Sequence, residues 1–448
     1  MTLIKGDVTM FTKIHLENYK SLVNFDVNLE KSKTQTRHIM YIYGENGSGK
    51  TNFIDSFFTL NEFFTTKSYK EIIEKILERK PELEKESFKM DTLKLLIKNI
   101  EDIIKENKTI SSIGNMVLEY HFKIKGKKGK YRIETDNQNI VFESLDYVLD
   151  KKIVNLFEFS NLNKKINDKI FKTQHYKSEI NILVEKFWGK HSMMAILVSE
   201  IENNSERYIS NCFSKELKNI IDFFMSLSIN SKKRRIEKGK LNITNKTFKE
   251  ITNLAKGEIK IIDKEKLQKL ENVLNLFYTS LYSDIKEVFY KTDIKENIVK
   301  YDLYLKKLIC GKIIDIPFLE ESSGTQALLD ILPFIVSALE GKIVLIDEID
   351  TGIHDLLIKN LLLSIKNIKG QLIITTHNTL LLETELSKNA FVIKVDNEGK
   401  KELIAISDFE GRIHPNINVR KRYLRGDYFG VPQPMELDYY NFLELLKG

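Results

Sequence analysis

The spacing of apolar and polar positions divides the chain into strand-rich and helix-rich stretches. Residues 11–43 alternate apolar and polar and close on a short apolar run before a glycine, which predicts strands. Residues 51–66 predict a helix, and residues 67–108 predict a helical hairpin that Pro81 interrupts. Period-two alternation returns over residues 117–147 and predicts two or three antiparallel strands.

The remainder of the chain combines a helical pattern with an alternating one. Residues 151–300 read as mostly helical, whereas residues 301–395 alternate strand-like and helix-like segments, as a parallel sheet with crossover helices does. We therefore predict an α/β fold with an antiparallel β subdomain and a helical insertion for assembly or partner recognition. The predicted divisions are 1–66, 67–150, 151–300, 301–400 and 401–448.

The composition excludes some classes of protein but does not indicate a function. The 448 residues include 70 Lys and Arg against 63 Asp and Glu, so a net charge of +7 does not by itself establish nucleic-acid binding. Two cysteines are too few for a disulfide framework or a cysteine-rich zinc site. The absence of a long apolar run and of a signal-peptide pattern predicts a cytoplasmic protein with no membrane partner.

The strongest chemical signal is the run from Gly44 to Thr51, which fits the pattern GxxxxGK[ST] between a predicted strand and a predicted helix. Glycines let successive backbone N–H groups surround phosphates, Lys50 reaches the terminal phosphates of a nucleotide, and the Thr51 hydroxyl helps to hold Mg²⁺. The candidate nucleotide-binding residues are Gly44, Asn46, Gly47, Ser48, Gly49, Lys50 and Thr51.

Two further apolar runs deliver polar residues where predicted strands end. Residues 343–346 precede Asp347 and Glu348, and we predict that Asp347 binds Mg²⁺ while Glu348 polarises the attacking water. Residues 372–376 precede His377, one helix and one strand later, so its imidazole could contact the terminal phosphate. A histidine after a strand is by itself more often structural.

The run Ser322-Ser-Gly-Thr-Gln326 stands at the start of a predicted helix. Serine and glycine at such a position make an anion site from exposed N–H groups and the helix dipole. Taken alone, the run is more often a plain helix cap. Its place shortly before the strand that leads to Asp347 favours the anion site.

These four elements, in their order along the chain, resemble the ATP-binding cassette ATPases of the SMC, Rad50 and RecF type. The resemblance implies an ABC-like head in which two copies enclose ATP and Mg²⁺. It also implies that Ser323, Gly324 and Gln326 form the signature that caps ATP on the opposite copy, and that His377 is the switch histidine. The loop after Glu348 departs from the family in ending on His354, which we predict contacts the opposite nucleotide.

The runs from Glu321 to Gly341, from Ile346 to Leu357 and from Gln371 to Glu383, with the ending from Asn418 to Pro432, are similar to bacterial AAA-type ATPases of abortive-infection and other anti-phage systems. That resemblance implies a homo-oligomeric ATPase sensor that controls a separate effector, such as a Toprim-type or other nuclease. The residues after His377 are too few for a fused Toprim domain.

Two basic clusters leave direct nucleic-acid binding open. Six cations lie within residues 232–240, and Arg420, Lys421, Arg422 and Arg425 lie among aromatic residues. The first suits either a phosphate contact or a solvated loop, and the second suits nucleic acid, a protein partner or packing against the head. A RecF-like or Rad50-like repair ATPase and an ATP-bound scaffold with little turnover therefore remain alternatives.

Overall fold

The computed structural model describes residues 9–32, 35–78, 98–231, 240–241, 248, 251, 253–365, 368–410, 418–432 and 438–447. The strands, in chain order, are β1 Met10–Tyr19, β2 Leu22–Asn28, β3 Ile39–Tyr43, β4 Met116–Ile124, β5 Lys127–Thr135, β6 Ile140–Leu149, β7 Lys152–Ser160, β8 Lys164–Ile166, β9 Ser228–Asn230, β10 Lys240–Leu241, β11 Lys256–Lys260, β12 Ile285–Lys295, β13 Ile298–Ile309, β14 Lys312–Pro317, β15 Ile343–Ile346, β16 Gln371–Thr375, β17 Ala390–Val395 and β18 Lys401–Ala405.

The helices connect these strands and cover the sheets. In chain order they are α1 Lys50–Glu78, α2 Ile100–Asn107, α3 Gln174–Phe187, α4 Met193–Asn203, α5 Glu206–Cys212, α6 Lys215–Met225, α7 Lys264–Leu281, α8 Ser323–Leu339, α9 Asp355–Ser364, α10 Ile406–Glu410, α11 Val419–Leu424 and α12 Tyr439–Lys447. Within the described ranges, none of these helices is long and apolar enough to cross a bilayer.

A seven-stranded mixed sheet, in the order β10-β9-β15-β16-β3-β17-β18, forms the centre of the fold. Its five inner strands run parallel, and the two edge strands run antiparallel to their neighbours. Every residue of β15 and β16 is buried, as expected for parallel strands that are covered on both faces. The α/β class predicted from the sequence is therefore the observed one.

Alternate side chains of β15 belong to different hydrophobic cores. Leu345 packs in the core that includes Phe53 and Phe57 of α1, whereas Val344 packs in the core that includes Leu328 of α8. Because successive side chains of a strand point to opposite faces of the sheet, this one apolar strand contributes to both hydrophobic cores. This packing fixes the end of β15, and hence the two carboxylates that follow it.

An all-antiparallel sheet, in the order β2-β1-β4-β5-β6-β7-β8, contributes to the core that includes Phe53 and Phe57, called here the first core; the core that includes Leu328 is the second. A smaller sheet of β11, β12, β13 and β14 contributes to the second core. The predicted antiparallel strands at 117–147 are confirmed as β4 to β6. Of the hairpin predicted at 67–108, the described residues show the end of α1 and the helix α2. Its middle, including Pro81, lies outside the described residues.

The prediction that residues 151–300 are mostly helical is only partly right. Helices α3 to α7 lie there, but so do β7 to β12 and the start of β13. In β13 every second residue from Val299 to Leu305 is buried, and the predicted strand-like stretch from residue 301 therefore begins three residues earlier than expected. Strand β9 is only three residues long and joins the mixed sheet. Strands β13 and β14 are antiparallel, so the parallel part of 301–395 begins at β15.

One buried carboxylate joins the antiparallel sheet to the helices. Glu143 of β6 is fully buried and accepts hydrogen bonds from the backbone N–H groups of Met193 and Met194, at 2.6 and 3.1 Å, where α4 begins. It also accepts from the Tyr131 hydroxyl at 3.0 Å and from the Trp188 indole at 3.3 Å. Burial raises the pKa of Glu143 to about 7, although these donors act in the opposite direction.

The raised pKa of Glu143 gives stability a specific pH dependence. Between the usual carboxyl pKa of about 4.3 and the folded-state pKa of about 7, the native protein holds a proton that the unfolded chain has released. The contribution of Glu143 to stability is therefore full at low pH and is lost as the pH rises through 7. Glu143→Gln keeps the size of the side chain but does not titrate.

We expect the urea midpoint of the native protein, relative to that of Glu143→Gln, to fall between pH 5 and pH 8. The corresponding change in relative unfolding free energy is about 2–3 kcal/mol, by linkage. Circular dichroism over a urea series at several pH values measures it. A difference between the two proteins that is constant with pH would contradict a raised pKa.

Candidate nucleotide site

The loop between β3 and α1 has the backbone geometry that the glycine pattern predicts. The chain leaves β3 at Tyr43 and enters α1 at Lys50. Gly47 and Gly49 have φ angles of +83° and +109°, which side-chain-bearing residues rarely adopt. A Cβ atom on Gly49 would lie 2.8 Å from the Leu22 side chain. The loop therefore depends on glycine at both positions.

The ammonium group of Lys50 lies within this loop. Its Nζ donates to the carbonyl oxygens of Gly44 and Glu45, at 2.7 and 3.0 Å. The residue is 5% exposed, and burial lowers its pKa, while the nearby carboxylates of Glu348 and Asp347 act to raise it. Among the described residues the hydrogen bonds of this buried cation go to loop carbonyls, and it can exchange those partners for phosphate oxygens.

Asp347 is held at the end of β15 by two hydroxyl groups. Its Oδ2 accepts from Thr51 at 2.9 Å, and its Oδ1 accepts from Thr375 at 2.7 Å. Asp347 is fully buried, and burial raises its pKa, whereas the two hydroxyl donors lower it. The predicted pair Thr51 and Asp347 is thus brought into direct contact, with a hydroxyl and a carboxylate oxygen of the kind that Mg²⁺ prefers.

Glu348 follows Asp347 in a constrained conformation. Its φ is +46°, in the left-handed region that costs a non-glycine residue about 1 kcal/mol. Its backbone N–H donates to Thr375 Oγ1 at 2.7 Å, and its Oε2 accepts from Thr351 Oγ1 at 3.1 Å. The side chain borders a cleft of about 380 Å³, which is lined by Asn46, Gly47, Gly49, Lys50, Thr51, Asn52 and Glu348.

His377 lies after β16, the strand that pairs directly with β15, as its spacing predicted. Its ring is exposed, and its backbone N–H donates to Asp350 Oδ2 at 2.9 Å. The next residue, Asn378, donates through its side chain to the Asp355 carbonyl at 2.8 Å. These bonds tie the loop that carries His377 to the loop after Glu348. Contact of His377 with a phosphate remains a prediction.

The signature run begins α8, and part of it serves the helix itself. Ser322 caps the helix by accepting from the Thr325 N–H at 3.2 Å, and Gln326 Nε2 donates to the carbonyls of Leu319 and Glu321, both at 2.9 Å. The lining of the cleft includes no residue of this run, as far as the described residues show. A contact of Ser323, Gly324 or Gln326 with nucleotide therefore remains a prediction that requires a second copy.

Glycine is needed at position 324 because the loop after Glu348 approaches it closely. A Cβ atom there would lie 2.5 Å from the Gly352 carbonyl oxygen. The start of α8 thus packs against the same loop that ends on His354. His354 caps α9, with its Nδ1 accepting from the Leu356 N–H at 3.2 Å. Its contact with an opposite nucleotide also remains a prediction.

Two residues at this site were missed by sequence reasoning. Thr375 Oγ1 donates to the Asp347 carboxylate and accepts from the backbone N–H of Glu348, so it links the two residues. Asn230 ends β9, the parallel neighbour of β15, and its carbonyl accepts from the Asp347 N–H at 2.8 Å. It is fully buried at the strand edge that carries Asp347. The alternation of Leu227, Ser228 and Ile229 before Asn230 was too short a signal within a helix-rich stretch.

The two basic clusters have different outcomes. Of the first, 232–239 lies outside the described residues. In the second, Arg420 bonds Glu383 at 2.8 Å, and the buried Tyr423 donates to the Gly430 carbonyl at 2.9 Å. A Cβ atom on Gly430 would lie 3.3 Å from the Cα of Gly44. This segment therefore packs against β3 and the glycine-rich loop, which was one of the predicted alternatives.

Comparison with known proteins identifies the family. The model of a family described as "AAA domain, putative AbiEii toxin, Type IV TA system" matches residues 39–383. A solved SMC head, bound to the C-terminal winged-helix domain of ScpA, shares 13% identity over 89% of this chain and 98% of its own, with a TM-score of 0.41. The recombination mediator RecF shares 14% over 89% and 99%, with a TM-score of 0.34.

No curated protein sequence matches this chain. The family model matches most of the chain. It includes the glycine-rich loop, both carboxylates after β15 and His377. The chain therefore belongs to this family of AAA domains.

Proposed function

We propose that this protein binds ATP with Mg²⁺, hydrolyses it between two copies of the chain, and uses that cycle to control a separate effector protein. The observation that carries the proposal is the contact of Thr51 with Asp347 beside the buried ammonium of Lys50. These groups come from two distant stretches of sequence, and together they match the needs of a metal-bound triphosphate.

The binding step rests on the loop and on Lys50. The loop's N–H groups and the start of α1 favour an anion, and Lys50 supplies a positive charge that is partly shielded from water. Thr51 and Asp347 are the residues that would hold Mg²⁺, and Asn230 is placed to add a polar contact beside them. The metal, when bound, would neutralise charge on the phosphates.

Hydrolysis is assigned to Glu348. Its carboxylate borders the cleft and its backbone is fixed through Thr375, so it is positioned to accept a proton from an attacking water. The bond from Thr351 holds the carboxylate without neutralising it. His377, on the adjacent strand end, is assigned to the developing charge on the phosphate.

A second copy is part of the proposal because the signature residues stand apart from the cleft of their own chain. Ser323 and Gly324 start α8 and contact the loop after Glu348, at the position of Gly352. We propose that this surface meets ATP on another copy, so that association and nucleotide state are linked. At least a dimer is then required, and higher rings fit the same contacts.

The role in defence rests on the family and not on the site. Its description names the AbiEii toxin and a type IV toxin–antitoxin system. We propose that this chain is the ATPase regulator of such a system, and that the effector, for example a nuclease, is another chain. A cytoplasmic location is part of the same proposal.

ATP turnover with and without duplex DNA tests this role. A regulator of a separate effector is expected to hydrolyse ATP at a rate that DNA changes by less than about two-fold, whereas phosphate-backbone binding that drives turnover would give a salt-sensitive stimulation. Strong stimulation by DNA would contradict the proposal and support a repair ATPase. ATP binding without turnover would support a scaffold.

A further inference from the structure

A second lysine, outside the glycine-rich motif, contacts the phosphate-binding loop. Lys401 is the first residue of β18, at the edge of the mixed sheet. Its Nζ donates to the Gly47 carbonyl oxygen at 2.8 Å and to the Ser21 hydroxyl at 2.7 Å. Ser21 lies in the turn between β1 and β2 and also accepts from Asn52 Nδ2 at 2.8 Å. Four separate segments therefore meet at the outside of the loop.

The orientation of one peptide group gives this contact its importance. A trans peptide is planar, so the Gly47 carbonyl and the Ser48 N–H point in opposite directions. Lys401 holds the carbonyl on the outside, and the N–H faces the inside, 3.2 Å from the Glu45 carbonyl. The Lys50 ammonium bonds that same Glu45 carbonyl at 3.0 Å. The Ser48 N–H and Lys50 thus converge on one point inside the loop.

The loop needs such an external restraint because its glycines give it conformational freedom. Gly47 has a φ of +83°, and a Cβ atom there would meet none of the described residues within 4 Å, so packing against them does not hold this peptide. The aliphatic part of Lys401 lies against Gly49, where a Cβ atom would be 3.5 Å from the lysine Cδ. Lys401 is not among the residues that line the cleft.

We propose that Lys401 is a positioning residue of the phosphate-binding loop, which holds the Gly47 carbonyl outward so that the Ser48 N–H and Lys50 face the same phosphate. The inference rests on the proposed ATP-binding function. Lys401 acts through the loop and does not itself contact the nucleotide. Through Ser21 and β18 it also ties the loop to both large sheets.

Lys401→Met tests the inference, since it keeps the aliphatic chain and removes the ammonium. We expect the dissociation constant for ATP to rise about ten-fold, the effect of losing one charge-assisted hydrogen bond that preorganises the loop. The turnover number at saturating ATP is expected to stay within about two-fold, because Glu348 and Asp347 are not touched. Lys401→Arg, which can still donate to both acceptors, is expected to recover most of the affinity.

Lys400→Met is the matched control, because Lys400 is the exposed neighbour that pairs with Glu402 at 3.0 Å. Ser21→Ala, a milder change, is expected to raise the constant less than Lys401→Met does. Equal ATP affinity for Lys401→Met and Lys400→Met would overturn the inference while leaving the proposed function intact. A fall in turnover number without a change in affinity would overturn it too. Failure of the native protein to bind ATP would overturn the proposed function and this inference together.

Discussion

Replacing Lys50 with alanine is expected to weaken ATP binding by at least about 100-fold. The ammonium group lies inside the loop, and its two bonds to the carbonyls of Gly44 and Glu45 mark where phosphate oxygens would be met. Each hydrogen bond to a charged group contributes about 1.5–3 kcal/mol, so the loss of two such bonds gives a change of this size. Titration with a fluorescent ATP analogue measures it directly.

Lys400→Ala is the control for this experiment, since it removes a lysine that is exposed and outside the site. The Lys50→Ala protein is expected to fold, because it loses a buried cation whose pKa is already lowered by burial. Its thermal midpoint should therefore be no lower than that of the native protein by more than a few degrees. An ATP affinity within three-fold of the native value would refute the assignment of the loop.

Glu348→Gln is expected to separate binding from turnover. The substitution keeps the size and the contact with Thr351 but removes the charge that accepts a proton. General-base catalysis is worth about 10²–10⁴-fold in rate, so the turnover number should fall by that factor while ATP affinity stays within about three-fold. The variant should then accumulate with ATP bound, and its mass in solution should rise to that of at least a dimer.

Rapid-quench turnover and light scattering with Mg²⁺ and ATP measure these two effects. Glu320→Gln is the matched control, because Glu320 is an exposed carboxylate outside the cleft. Thr351→Ala is expected to give only a small loss of rate, since it removes one bond to the carboxylate. A Glu348→Gln protein that hydrolyses ATP at the native rate would remove Glu348 from its assigned role.

The groups whose place in the fold could be predicted are those whose signal is contiguous in the sequence. The glycine-rich loop, the carboxylates after β15 and His377 each follow a short apolar run, and parallel strands of one sheet bring their carboxyl ends to one edge. From that rule the neighbouring positions of Asp347 and His377 could be predicted. The contact of Thr51 with Asp347 follows from the same rule, because β3 and β15 end at the same edge of the sheet.

The groups that were missed depend on pairing between distant segments. Asn230 reaches the site because β9 pairs with β15, and a three-residue strand leaves too little pattern to distinguish it from the helices around it. Lys401 reaches the loop because β18 pairs with β17 at the sheet edge. Glu143 meets the start of α4 only once the antiparallel sheet has formed. No local spacing encodes these contacts.

The same limit applies to residues that have two possible uses. Gln326 matches a signature pattern, yet it also donates to the carbonyls of Leu319 and Glu321, just before α8, while its neighbour Ser322 caps the helix. The basic and aromatic run around Arg420 and Tyr423 suggested a surface for a partner, but much of it packs on the strand before the loop, where the ring of Tyr423 meets that of Tyr43 at 5.5 Å. A sequence pattern shows that a residue could contact a ligand or partner, but the packing of the folded chain shows whether it also serves the fold itself.

The most direct test of the central claim is phosphate release from ATP by the purified native protein, measured with Mg²⁺ beside Lys50→Ala under the same conditions. The account predicts steady turnover by the native protein, loss of that turnover in the variant, and loss in the native protein when the metal is chelated. Turnover that survives in Lys50→Ala, or its complete absence from a native protein that is folded and supplied with Mg²⁺ and ATP, would contradict it.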